Sequence, residues 1–311
     1  MMCIKERNAS DSTCKKLLRD KGCFADLCNY AFFQGRQVIQ PEELVSREND
    51  LSTLIGKVDK PTEIKRYRDV VRKASIHGEY VIIGVEHQST FDEKMIFRIL
   101  NYDATIYINQ VESKQEVYPV GSFVFYTGDK EWKSPETLKE TLKNIPPEME
   151  PYINDWRLPV VELKTMDARK LTNQRLKEVV EISQSMFAGN YDELSENRKI
   201  ETESFMMAAT FTRTKIKRED LPEGDEINMC EAMDRLFQRF ENQGMEKGKI
   251  IGFEKGKSDT LKDLLKVKLG TLSRPLEKQL TNTSLEKLNE LTLNIFNVTS
   301  EEDVLRIESV K

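Results

Sequence analysis

The most constraining stretch of this sequence lies between residues 70 and 88. Val70-Val71 and Tyr80–Val85 are β-branched or aromatic runs, separated by Ser75-Ile76-His77-Gly78-Glu79. Two such runs, joined across a glycine able to take a positive φ, predict a β-hairpin. With His77-Gly78 as its two-residue turn, residues whose numbers sum to 155 face each other. Asp69 then stands opposite Glu86 on one sheet face, with Cβ atoms about 5 Å apart. Side chains alternate along a strand, so Gln88 shares the face of Glu86 as long as the strand stays extended.

Facing carboxylates destabilise a hairpin unless a cation compensates them. A divalent metal does this directly, and hard oxygen ligands suit Mg²⁺ or Mn²⁺. The alternative is that Asp69 and the E-x-Q strand are solvated polar residues on an exposed face. Local context favours a site. Lys57–Lys73 carries seven basic and three acidic side chains and leads into Asp69. A helix with the apolar stripe Met95, Ile99, Tyr102 and Ile106 follows Gln88, with Ser89 or Thr90 as its expected cap. Its positive end would point to the same spot and favour phosphate or carboxylate there.

Composition narrows the chemistry. The 311 residues include only two histidines, His77 and His87, so a multi-histidine centre is excluded and acid–base or metal chemistry falls to carboxylates. Five cysteines, four of them within the first 28 residues, form no C-x-x-C pair and read as reduced thiols. The net charge of −5 argues against indiscriminate coating of nucleic acid, although not against action at a local basic site. No apolar run is long enough to span a membrane, and MMCIKERNAS has no apolar core of a secretory signal. A cytoplasmic protein without membrane association is the expectation.

Along the chain, Asp11 to Tyr30 is helix-like and interrupted at Gly22. Strands are expected at Gln37–Gln40, in the hairpin, at Tyr118–Tyr126 and at Leu158–Leu163, with a short helix from Ser134 to about Lys143. This order of elements predicts a mixed α/β domain. Residues 166–220 read as helices. Beyond Asp225 a stripe of Met229, Met233, Leu236 and Phe240 runs into Gly244, Gly248, Gly252 and Gly256. That segment reads equally as a flexible or partly helical connector and as a self-association seam. Leu261–Leu269, Ser284–Phe296 and Ser300–Ile307 form an expected terminal helical unit, whose Met and Leu stripes suit dimerisation or simple packing.

At several of these positions the chain resembles the recombination-promoting nuclease (Rpn) family, also called YhgA-like transposases, of the PD-(D/E)XK nuclease superfamily. The matching residues are Asp69-Val70-Val71, Val85-Glu86-His87-Gln88-Ser89 and Phe91-Asp92-Glu93-Lys94-Met95 with Arg98, Leu100 and Tyr102. Phe125-Tyr126-Thr127-Gly128-Asp129-Lys130-Glu131-Trp132 and the opening Asp11-Ser12-Thr13-Cys14-Lys15-Lys16-Leu17-Leu18 are similar as well, with Cys14 in place of an aromatic residue. The resemblance covers most of residues 10–260. It implies a restriction-endonuclease-like PD-(D/E)XK core, a mixed central sheet flanked by helices, with a helical C-terminal extension. The implied divisions are a nuclease-like domain at 10–220, a helical Gly/Glu/Lys-rich connector at 225–260 and a small helical module at 261–311.

The resemblance further implies a metal-dependent deoxyribonuclease, hydrolysing DNA phosphodiester bonds with low sequence specificity in recombination, mobile elements or phage defence. Asp69 and Glu86 would hold Mg²⁺, with Mn²⁺ as a substitute. Gln88 would orient water from the position where the superfamily has lysine, and Arg68 precedes Asp69 where it has proline. A neutral amide positions and hydrogen-bonds but supplies no charge. Lys15, Arg98 and Tyr102 are candidate phosphate contacts, although Tyr102 also belongs to the apolar stripe and the two cations could be solvated. His87 alternates to the opposite strand face and reads as structural. DNA, a homodimer through the C-terminal helices and an inhibitory protein are the expected partners. The alternative is a catalytically inactive DNA-binding or protein-interaction module on the same scaffold.

Overall fold

The computed structural model describes residues 4–45, 70–114, 116–194 and 197–309. The basic run before Val70, and Asp69 with it, therefore lie outside the described residues.

Residues Met1–Asp234 form one compact unit and Arg235–Lys311 a second. The first is built on a four-stranded sheet in the order β1 (Val70–Ile76), β2 (Glu79–Gln88), β3 (Val120–Tyr126), β4 (Val160–Glu162). β1 and β2 are antiparallel, whereas β2–β3 and β3–β4 are parallel. The sheet is mixed and flanked by helices, as expected. The hairpin register is the one the sequence predicts, from Val70 opposite Val85 to Ile76 opposite Glu79. His77 and Gly78 form the turn with φ of 53° and 89°, the paired positive values of a type I′ turn.

Alternation gives the sheet two buried faces. Ala74, Ile83, Val85, Phe123, Phe125 and Val161 pack in one cluster with residues of α1 (Ile4–Arg19), α2 (Lys21–Phe33), α5 (Gln174–Ala188) and α6 (Thr202–Thr212). On the other face Ile82, Val124 and Tyr126 meet Met95, Ile96, Ile99 and Ile106 of α3 (Met95–Glu112). Burial on both sides explains why Ile82–Val85 is a continuous apolar run broken only by Gly84. Polar groups fasten the layers. Arg72 donates to the carbonyl oxygens of Leu18 and Arg19 at the end of α1, satisfying acceptors that a helix terminus leaves open. The buried Asp26 of α2 accepts from the Thr172 and Asn173 amides and so fixes the entry to α5.

Several expectations need correction. Gln37–Gln40 is not a strand, because the buried Asn29 side chain accepts from the Val38 and Ile39 amides and donates to the Ile39 carbonyl. A side chain thus takes the backbone bonds that a neighbouring strand would have supplied. The break between the first two helices falls at Asp20, whose extended backbone and bond from the Cys23 amide make it the cap of α2, so Gly22 lies inside that helix. The helix expected from Ser134 shrinks to α4 (Leu138–Thr141), opened by a Thr137–Glu140 capping box. The helical reading of residues 166–220 holds for α5 and α6 but missed β5 (Lys199–Glu201), which pairs with β6 (Glu226–Asn228) from beyond it.

In the second unit the glycine-rich segment is continuous helix, part of α7 (Met229–Leu269). Among the described residues, a Cβ added at Gly244, Gly248, Gly252 or Gly256 would meet nothing within 4 Å, so no close packing there calls for these glycines. α8 (Arg274–Thr281), α9 (Leu285–Leu293) and α10 (Glu301–Ser309) complete the unit. Leu261, Leu265, Leu276, Leu280, Leu288, Leu291, Val298 and Val304 form its core. α8 lies outside the expected helices; its Pro275 occupies the first turn after the Ser273 cap, where a missing N–H costs nothing. Among the described residues no helix is long and apolar enough to cross a membrane.

The turn gives a direct test of the hairpin. Nothing lies within 4 Å of a Cβ at Gly78, so Gly78→Ala changes backbone strain alone. It should destabilise the first unit by about 1–2 kcal/mol, read as a fall of roughly 2–6 °C in melting temperature.

Candidate active site at the ends of the parallel strands

Glu86 and Gln88 lie at the C-terminal end of β2, on the face that α3 covers. Only 4% of Glu86 is exposed, so it is a buried carboxylate and not a solvated strand residue. The Arg98 Nη2 donates to Glu86 Oε1 at 2.8 Å, and the Gln88 amide nitrogen donates to the same oxygen at 3.3 Å. Arg98 comes from the first turn of α3. Its other terminal nitrogen donates to Asp92 Oδ2 at 2.9 Å.

Burial works to lower the Arg98 pKa, but the hydrogen bonds with Tyr102 and Asp92 and the charge of Glu86 outweigh it and leave the value raised. Arg98 is therefore a permanent cation held in a fork between two carboxylates. Tyr102, one helical turn on, is half-buried and packs against the Val124–Tyr126 cluster.

The start of α3 departs from expectation. Neither Ser89 nor Thr90 caps it, since the helix begins at Met95 with Lys94 at the cap position and no side-chain cap. Instead Asp92 Oδ1 accepts from the Lys94 amide while its Oδ2 takes Arg98. One carboxylate thereby satisfies the approach to the helix and anchors the guanidinium. The helix still presents its N-terminal turn to Glu86, through Arg98.

The remaining sequence candidates are placed as follows. Asp69 lies outside the described residues. Lys15 is exposed on α1, the helix whose Cys14, Leu17 and Leu18 pack on the opposite sheet face. His87, as expected, faces away from Glu86. It is buried, with Nδ1 2.9 Å from Asp11 Oδ1, Nε2 2.8 Å from Thr127 Oγ1, and its ring between Phe125 and Phe211. These contacts tie α1 and α6 to the ends of β2 and β3, a structural task.

Sequence reasoning missed three neighbours. Tyr126 is in register with Gln88, and Glu162 with Tyr126, so all three share a sheet face at the ends of parallel strands. Burial, and then the Glu162 charge, raise the Tyr126 hydroxyl pKa, against the opposing charge of Arg213. Arg213, the left-handed C-cap of α6, donates to the Ser89 carbonyl at 2.8 Å. Only the parallel strand order reveals Tyr126 and Glu162 as neighbours of Gln88, and a single sequence carries no direct sign of that order.

The donors suit a hard divalent cation in kind. Glu86 offers a buried carboxylate that already attracts a cationic group, and Gln88 adds an amide oxygen. Among the described residues no three Asp, Glu, His or Cys side chains are grouped to hold a metal.

Residues 62–212 match the family model described as "Putative transposase, YhgA-like". This YhgA-like region is similar to that family over its matched length. It takes in the hairpin, α3, β3, β4, α5 and α6, and with them the Glu86–Arg98 cluster. No curated protein and no solved structure matches the chain.

Gly128, just beyond β3 in the YhgA-like region, is required by close approach. A Cβ there would fall 2.2 Å from the Tyr126 hydroxyl, and the Tyr126 ring is fixed edge-on against Trp132 at 5.0 Å between centroids. Gly128→Ala should therefore cost about 1–3 kcal/mol through overpacking. Chemical denaturation should show this loss, and Tyr126→Phe/Gly128→Ala should recover little of it, because the ring carbons Cζ and Cε2 would still crowd the new Cβ.

Proposed function

We propose that this chain is a Mg²⁺-dependent DNA endonuclease of low sequence specificity, acting in recombination, mobile elements or phage defence. The observation that carries this reading is the buried Glu86 at the end of β2, held beside Gln88 and a fixed arginine. A carboxylate of that kind is costly to keep without a cationic partner, and its surroundings suit an anionic substrate. The YhgA-like match supports the same class of chemistry.

In this reading Glu86 and Asp69 hold Mg²⁺ or Mn²⁺, Asp69 by the predicted hairpin pairing and by its resemblance to the PD aspartate. The ion would lower the pKa of a bound water and offset charge building on the phosphate. Gln88 orients that water by hydrogen bonding, without the charge a lysine would add. Arg98 and Tyr102 would meet a phosphate oxygen, Arg98 by charge and Tyr102 by its hydroxyl. Lys15 would contribute to binding from α1. The sheet and α3 exclude bulk water from the inner side of Glu86, which strengthens each of these interactions. Exposed Phe240, Ile251 and Phe253 on α7 support self-association through the C-terminal helices, and an inhibitory protein partner belongs to the same proposal.

Asp69→Ala and Glu86→Ala should each abolish Mg²⁺-dependent nicking of supercoiled plasmid while far-UV circular dichroism stays unchanged. Full cutting by either purified variant would remove the site assignment. Absence of cutting by the unaltered protein with both Mg²⁺ and Mn²⁺ would favour the non-catalytic binding module.

A further inference from the structure

Arg98 has a second task, and it concerns the state of the site before a metal arrives. Its side chain is 39% exposed, yet it reaches a side chain that is only 5% exposed, so the pair joins a wetter residue to a dry one. The bond to Glu86 uses one terminal nitrogen, and the bond to Asp92 uses the other. Asp92 is itself 31% exposed and is fixed by the Lys94 amide. Releasing Glu86 would thus leave the guanidinium tethered at the helix start, still hydrogen-bonded to Asp92 and Tyr102. Glu86 has no comparable freedom, because it sits within β2 in register with Val124 of β3.

We infer that Arg98 is a stand-in cation, an internal latch that neutralises Glu86 in the metal-free protein and must give up that carboxylate oxygen when a divalent ion binds. This inference rests on the nuclease reading above and adds a regulation to it. Two cations compete for one carboxylate oxygen, so the latch weakens metal binding by the free energy of the Arg98–Glu86 contact. In return it keeps a buried carboxylate compensated while the site is empty. Once displaced, Arg98 remains beside the site on its Asp92 tether as a ready contact for an anionic phosphate. Metal loading and substrate binding then draw on the same side chain.

The test is Mn²⁺ titration of the full chain by isothermal calorimetry without DNA, for the unaltered protein, Arg98→Gln and Arg98→Lys. Arg98→Gln should bind Mn²⁺ about fivefold tighter or more, with Arg98→Lys between the two because an ammonium competes without the fork. Metal-free Arg98→Gln should also melt lower than the unaltered protein and recover more of its stability on adding Mn²⁺. Equal or weaker Mn²⁺ binding by both variants, with binding by the unaltered protein intact, would overturn the latch and leave the nuclease reading standing. Failure of the unaltered protein to bind Mn²⁺ at all would overturn the nuclease reading, and the latch would fall with it. Should Arg98→Gln fail to fold, Arg98→Lys decides alone, since unchanged affinity in that variant would count against the latch.

Discussion

The register between β1 and β2 governs everything that can happen at this site. Among the described residues, β2 is the only strand of the sheet with an antiparallel neighbour on one side and a parallel one on the other. Its alternation sends Val85 and His87 into the cluster beneath α1 and α6, and Glu86 and Gln88 toward α3. A slip of one residue would exchange these faces. It would put a carboxylate into the apolar cluster and an imidazole against Arg98. The His77-Gly78 turn guards against that slip locally, and the matched burial of both faces guards against it globally.

Given that register, electrostatics does the rest. A carboxylate buried under a helix has to be compensated, and α3 supplies the compensation from its first turn. Arg98, Asp92 and Glu86 form a connected chain of charges in which the guanidinium is shared. The carboxylate is compensated from within the chain, through contacts that an ion could replace. That combination distinguishes it from the Arg169–Asp167 pair, whose partners are two residues apart and whose arginine is 90% exposed, so that it orders only a loop. A surface pair of that sort fixes little, whereas the Glu86 cluster ties a strand end to a helix start.

Much of this was legible before any coordinates. β-branched runs around His77-Gly78 determine the hairpin and its pairing, because turn chemistry and side-chain period are both local. The stripe Met95, Ile99, Ile106 identifies α3, and scarcity of histidine directs attention to carboxylates. What stayed hidden depends on distant partners. Asn29 dissolves a plausible strand by taking the backbone bonds of Val38 and Ile39. Lys199–Glu201 becomes a strand only because Glu226–Asn228 comes back to pair with it. Tyr126 and Glu162 join Gln88 through parallel pairing across more than thirty residues of intervening chain, which no local pattern records. The start of α3 was misread because Asp92 serves an arginine as well as an amide, a double duty visible only in three dimensions.

The central claim is that Glu86 is the protein's carboxylate for a divalent ion. Electron paramagnetic resonance of Mn²⁺ added to the full chain tests it most directly, since protein-bound and hexaaquo Mn²⁺ give distinct signals. The unaltered protein should quench the free-ion signal up to a defined stoichiometry, and Glu86→Gln, which keeps the shape and the hydrogen bonding but not the charge, should leave that signal unquenched. Equal quenching by the two proteins would contradict the account.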